Sequence, residues 1–147
     1  ALLNRLAENS PSDPLTISTR FCGTRSDPSL RGSISGLSLS SFDLAHLADG
    51  ILRGIIEELH TMSLRMTEPG RKYGVVVSGN AMRRCAPLRR LCAEAFGSDP
   101  MTPAHIEESA FGAALHSAIS AGEITREESL RLIKYTEDKH TERNESI

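Results

Sequence analysis

Residues 73–84 read Tyr-Gly-Val-Val-Val-Ser-Gly-Asn-Ala-Met-Arg-Arg. An apolar, β-branched run stops at Ser78-Gly79-Asn80, and two arginines follow at once. Tyr73 to Val77 shows no polar alternation, which suits a central strand covered on both faces, as in a parallel α/β sheet. In open α/β sheets ligands gather at the carboxyl edge, where strands end and helices begin. Gly79 permits torsions and a close ligand approach that a side chain would obstruct. Ser78 and Asn80 bring a hydroxyl and an amide able to bond sugar or phosphate oxygens. Arg83 and Arg84 add positive charge. The stretch is neither the phosphate loop ending in Lys-Ser nor the three-glycine dinucleotide fingerprint. From these residues alone, an ordinary strand-to-helix connection and a ligand-holding turn both stand.

Working outward, Leu15 to Phe21 reads as a strand, and the Gly- and Pro-rich residues 22–36 as loop, with Ser33-Ile34-Ser35 as a short strand or irregular turn. A long helix follows. Ser40 is placed as its cap, with Asp43 three residues on reaching back toward the free amides. Leu44, Leu47, Ala48, Ile51, Leu52, Ile55, Ile56, Leu59 and Met62 recur at helical steps as a core-facing stripe. Gly50 and Gly54 are spaced to let another backbone approach one side. His46 and His60 lie on this helix without a ligand cluster, so neither is assigned to metal or catalysis.

Beyond Ser-Gly-Asn, residues 81–86 read as a loop or separate turn, and Pro87 sits in the first turn of a helix that Gly97 stops. Asp99 to Pro103 is at most an edge strand. From Ile106 a helix carries a small-residue face (Ala110, Ala113, Ala114, Ser117, Ala118) and a second stripe (Phe111, Leu115, Ile119), which implies packing against two neighbours. Thr125 to Glu128 is a capping box, opening a helix with Leu130, Leu132, Ile133 and Tyr135 on its apolar face. The polar end, from Thr136, is expected to fray. Arg83, Arg84, Arg89 and Arg90 read as a solvated face, or with only the first pair near a phosphate.

The 147 residues suit one α/β lobe without an internal boundary. A net charge of -2 argues against a general nucleic-acid binder, and 4% aromatics argue against a base-stacking platform. No apolar run is long enough for a membrane span. Cys22, Cys85 and Cys92 fit no zinc spacing and read as small buried hydrophobes in a reducing, cytoplasmic setting. The opening residues lack an initiator Met and a secretory pattern, so a processed chain or a piece of something longer is expected.

Three blocks resemble one family. Phe21, Gly23, Arg25, Asp27, Pro28, Arg31, Gly32, Gly36 and Leu37, with the long helix and its Gly54, are similar to the second-domain core of the FGGY family of carbohydrate kinases. Residues 75–97 resemble its nucleotide-binding strand-turn-helix. Glu108, Gly112, Ala113 and Ala114 resemble its Glu-x-x-x-Gly-Ala-Ala helix. The Ser-Gly-Asn-Ala turn with its two arginines, and Leu59-His60-Thr61-Met62, point to one branch of that family. Residues 15–121 carry the likeness, after a lead-in over 1–14 and before a C-terminal helix and polar tail over 122–147.

The resemblance implies an α/β fold, part of an actin-like, ribonuclease-H-like ATPase domain. It implies a kinase moving the γ-phosphoryl group of Mg-ATP to a ketose hydroxyl, with ATP and sugar in a cleft between two lobes. Ser78, Gly79, Asn80 and Arg84 would meet the nucleotide, at its adenosine end. Ser78 and Asn80 replace the family's flanking glycines. Where some members place an adenine-touching asparagine, this chain has Arg84 and Cys85. The helix around Gly112 would pack behind the nucleotide strand. Asp13, Asp27, Asp43, Asp49 and Asp99 do not match the catalytic base, and no Mg ligand is identifiable. The chain therefore reads as the C-terminal part of a kinase, lacking the base and the sugar-binding lobe. The alternative is a non-catalytic remnant acting as an interaction module.

Overall fold

The computed structural model describes residues 5–7, 11–68, 70–71 and 73–137. The expectations for the N-terminal lead-in and for the polar tail fall partly outside them.

Strand β1 (Thr16–Ser18) pairs antiparallel with β2 (Ser33–Ser35), with Ile17 opposite Ile34. The strand is shorter than the pattern of Leu15 to Phe21 suggested. The chain bends after Ser18, where the Phe21 amide donates to the Thr19 carbonyl at 2.8 Å. The Phe21 ring then lies against Gly32, where a Cβ would collide with it.

Helix α1 (Leu44–Met66) starts at Asp43, whose extended backbone (φ −139°) lets its carboxylate accept from the Ala45 and His46 amides. The cap is thus Asp43 rather than Ser40. A carboxylate also complements the positive end of the helix dipole, which a serine cannot do. The serines bond among themselves, Ser38 Oγ lying 2.8 Å from Ser40 Oγ and 2.9 Å from Ser41 Oγ.

The two glycines of α1 do admit a backbone. A Cβ on Gly54 would collide with the Ile17 carbonyl, and one on Gly50 would lie 3.0 Å from the Leu15 carbonyl oxygen. On an adjoining face Ala48, Leu52 and Ile56 pack with Leu88, Leu91 and Cys92 of α3 (Ala86–Phe96), and with Val77 and Ala7. The remainder of the expected stripe is not buried. Leu44, Ile55, Leu59 and Met62 are exposed, because no described element covers that side.

The valine run is the second departure. Its middle residue makes a parallel bridge to Met101, with Val77 N donating to Met101 O and Met101 N to Val75 O, both at 2.9 Å. The direction is as read, but the cover is one-sided. Val77 is buried while Val76 is 46% exposed. Met101 belongs to β3 (Met101–Pro103), which pairs antiparallel on its other side with β4 (Tyr135–Glu137). Tyr135 therefore sits on a strand, not on the last helix, and Thr136 and Glu137 are in the ladder rather than frayed.

Helix α2 (Asn80–Arg84) occupies what was read as loop or turn, and Cys85 joins it to α3. Pro87 lies in the first turn of α3, and Gly97 ends it in the left-handed region at φ 66°. Helix α4 (Glu108–Ser120) has no buried residue, contrary to the expected two-sided packing. Its neighbour α5 (Arg126–Leu132) opens with the Thr125–Glu128 capping box and buries only Ser129. Cys85 and Cys92 are buried, but Cys22 is exposed on the loop, which corrects the reading of all three as core.

Candidate functional site

The two parallel stretches end side by side. Residues 78–80 follow one, and residues 104–107 follow the other before α4 begins. Gly79 has φ 89° and ψ 162°, a conformation essentially reserved for glycine. A Cβ there would meet no atom within 4 Å, so the turn faces open space. Ser78, Asn80 and Arg84 are all exposed. Thus the four residues singled out at the turn share one exposed segment at the carboxyl edge.

Its backbone is anchored by a residue that sequence reasoning treated only as part of a family motif. The Gly79 amide donates to Glu108 Oε2 at 3.0 Å. The other oxygen, Oε1, accepts from Arg83 Nη2 at 2.6 Å. The same Arg83 nitrogen donates to the carbonyls of Pro103 (2.7 Å) and His105 (3.1 Å). Arg83 thus ties α2 to the segment after β3, and its Nε is buried without a partner. It is neither a solvated arginine nor one turned toward a phosphate. Arg89 is likewise structural, donating to Thr102 Oγ1 at 3.0 Å on β3. Arg90 pairs with Glu94 one helical turn on, at 3.7 Å. Cys85 is buried in the core, so it offers no surface to an adenine. The signal for Glu108 was present: an acid at the first position of a helix following a parallel strand points toward the strand ends.

Beside this clasp a hollow of about 200 Å³ is lined by Val76, Glu108, Phe111, Gly112, Leu115 and Tyr135, among others. The His105 and Phe111 rings stack at its rim, 3.6 Å between centroids. Gly112 thus borders a hollow near the valine run rather than packing tightly behind it; a Cβ there would meet nothing within 4 Å. A larger cavity of about 590 Å³ lies at the opposite, amino end of that run, between α1 and residues 73–76. Among the described residues no cluster of His, Cys, Asp and Glu could hold a metal ion, and no helix is long and apolar enough to cross a membrane.

No family model matches the chain. Its fold nevertheless superimposes on solved sugar kinases. It matches a xylulose kinase from Lactobacillus acidophilus with a TM-score of 0.77 at 19% identity, covering 91% of this chain and 28% of that one. A xylulose kinase from Rhodospirillum rubrum gives 0.72 at 24% identity, covering 92% and 28%. The glycerol kinase of Plasmodium falciparum, solved with ADP, gives 0.69 at 17%, covering 89% and 27%. The class is thereby defined: the chain has the actin-like, ribonuclease-H-like fold of the FGGY carbohydrate kinases, over part of their length. In sequence it is homologous to the sedoheptulokinase of Mus musculus, 32% identical over 102 residues, which are 69% of this chain and 21% of that protein. The chain thus spans about a fifth of that relative and little more than a quarter of the solved kinases.

Proposed function

We propose that the chain is the C-terminal part of an ATP-dependent, sedoheptulokinase-like sugar kinase. It supplies part of the ATP site for phosphoryl transfer to a ketose hydroxyl, and it lacks the catalytic base. In this reading residues 15–121 form the kinase portion, after a lead-in over 1–14, and the elements after 121 complete its sheet through β4. The setting is cytoplasmic, without a membrane or nucleic-acid partner.

The observation that carries the nucleotide contact is the open turn at Gly79, at the carboxyl edge of two parallel stretches. ATP fits it through three features: the free space on the Cα of Gly79, the exposed hydroxyl and amide of Ser78 and Asn80, and the exposed Arg84 one helical turn on. ATP supplies the transferable phosphoryl group and Mg offsets its charge, while such catalysis rests on positioning. The residues of this chain orient the nucleoside; no described cluster holds the metal. Four aspartates are committed to the fold: Asp13 to His46, Asp27 to Ser29, Asp43 to the start of α1, and Asp49 to Arg53.

Titrating the isotope-labelled chain with ATP tests this. The amide signals of residues 78–80 and 84 should move, and saturation should need millimolar ATP, since the rest of the cleft is absent. Shifts confined elsewhere, or none, would remove the nucleotide contact. Incubated with Mg-ATP and sedoheptulose, the chain should release no ADP above the buffer rate; turnover would overturn the assignment as a partial site.

The second reading, a non-catalytic interaction module, draws support from the uncovered side of α1, where Ile55, Leu59 and Met62 are exposed. The reading frame upstream of residue 1 separates the two. A sugar-binding lobe with its aspartate encoded there supports the kinase, and its absence supports the module.

A further inference from the structure

A glycine at position 79 allows the turn its shape but does nothing to keep it. Lacking a Cβ, it has the most conformational freedom to lose, so a defined turn there needs holding from outside. Both polar backbone atoms of Gly79 are held, and one residue lies behind both bonds. The Gly79 carbonyl accepts from the Arg83 amide at 3.2 Å. The Gly79 amide donates to Glu108 Oε2, and the other oxygen of that carboxylate accepts from Arg83 Nη2 at 2.6 Å. The bonds thus close a ring from Gly79 through Glu108 and Arg83 back to Gly79. Arg83 Nη2 also holds the Pro103 and His105 carbonyls, so the segment leading to Glu108 is fixed by the same guanidinium. The side chains of Arg83 and Glu108 are only 21% and 22% exposed, which leaves their attraction less screened than that of a surface pair.

We propose that Arg83 is a positioning residue: acting through Glu108, it keeps Gly79 in one conformation and presets the turn before any ligand arrives. The hold is a property of the chain alone. Its consequence for ATP rests on the reading of the turn as a nucleotide contact.

Amide hydrogen exchange of the whole 147-residue chain, without nucleotide, tests the hold, with Gly79 measured against the amides of α1. Arg83→Met should speed exchange at Gly79 by about tenfold, the counterpart of losing a charge-assisted hydrogen bond. Glu108→Ala should do the same, and adding Arg83→Met to it should bring little more, because the two residues act in one chain of contacts. Should Arg83→Met fail to fold, Arg83→Gln removes the charge while keeping a polar side chain, and the same acceleration is expected. Arg89→Met is the control. It also cuts an arginine bond to β3, and it should lower stability while leaving Gly79 exchange unchanged against α1. No acceleration in a folded Arg83 variant, equal acceleration in Arg89→Met, or full additivity with Glu108→Ala overturns the proposal. At a fixed ATP concentration, the shifts of residues 78 and 80 should shrink in Arg83→Met and persist in Arg89→Met. If ATP moves nothing in the unaltered chain, the nucleotide reading falls and the exchange result alone decides the role of Arg83. If the ATP shifts are undiminished in Arg83→Met, the nucleotide reading stands and the positioning role falls.

Discussion

Three glycines separate backbone conformation from packing as reasons for lacking a side chain. Gly79→Ala would add a Cβ that meets nothing within 4 Å, so its cost is conformational alone. At φ 89° and ψ 162° that cost is about 1–3 kcal/mol, readable by urea denaturation. Gly112 sits in α4 with equal space around it, and alanine there should stabilise by about 0.5–1 kcal/mol. Gly54→Ala should destabilise despite the helix preference for alanine, because the new carbon would strike the Ile17 carbonyl and push β1 off α1. Asp49 is a different case. It is fully buried, and Arg53 Nε lies 2.6 Å from its carboxylate. Arg53→Met should cost about 3 kcal/mol in the same assay, since it strips a buried charge of a partner.

At the scale of elements, the start of α1 is bound to the segment before β1 through His46. Its Nε2 faces Asp13 at 3.2 Å and its Nδ1 faces Asp43 at 2.7 Å. Both neighbours accept only, so the full arrangement needs an N–H on each ring nitrogen, which is the imidazolium. The bond to Asp13, and then that to Asp43, raise the His46 pKa above its ordinary 6.5, against the opposing effect of desolvation. A raised pKa in the folded state gives stability that is complete below the unfolded value and lost as pH rises through the folded one. Asp43 is held below its ordinary 3.8, chiefly by the His46 amide, so its contribution is lost only as pH falls through that lowered value. Melting temperature followed from about pH 5 to about pH 9 should therefore decline once His46 loses its proton, and Asp13→Asn should flatten that decline. The sequence showed the helix and its two close-approach glycines plainly, because period and spacing are local. It did not show the partner of His46, thirty-three positions away, because no local pattern encodes a tertiary hydrogen bond. Nor did it separate Asp43 from Ser40 as the cap, since both satisfy the same rule.

For the whole molecule, the question is what the exposed apolar residues imply. Phe21, Ile55, Leu59 and Met62 line one hollow of about 460 Å³ on the uncovered side of α1. The chain alone should bind a hydrophobic dye and sediment with a concentration-dependent coefficient, and Leu59→Lys should lower both. A monomer at all concentrations with no dye binding would contradict this. The same missing cover explains which whole-molecule expectations failed. Stripes on α1 and α4 were read as buried because periodicity reports what a face is suited to, not whether anything lies on it. The turn itself was legible from Ser-Gly-Asn, but its anchor was not: Glu108 reaches it from 29 positions away, and Arg83, one of the arginine pair weighed near a phosphate, is held in that anchor.

The bridge at Val76 has one more consequence. Met101 bonds both Val75 O and Val77 N, so the polar backbone atoms of Val76 are aimed the other way, where no described strand meets them. Three consecutive valines with a free ladder edge form a template onto which an identical stretch from another molecule can zip. At high concentration and long incubation, such chains would grow into thioflavin-positive filaments seeded at residues 75–77.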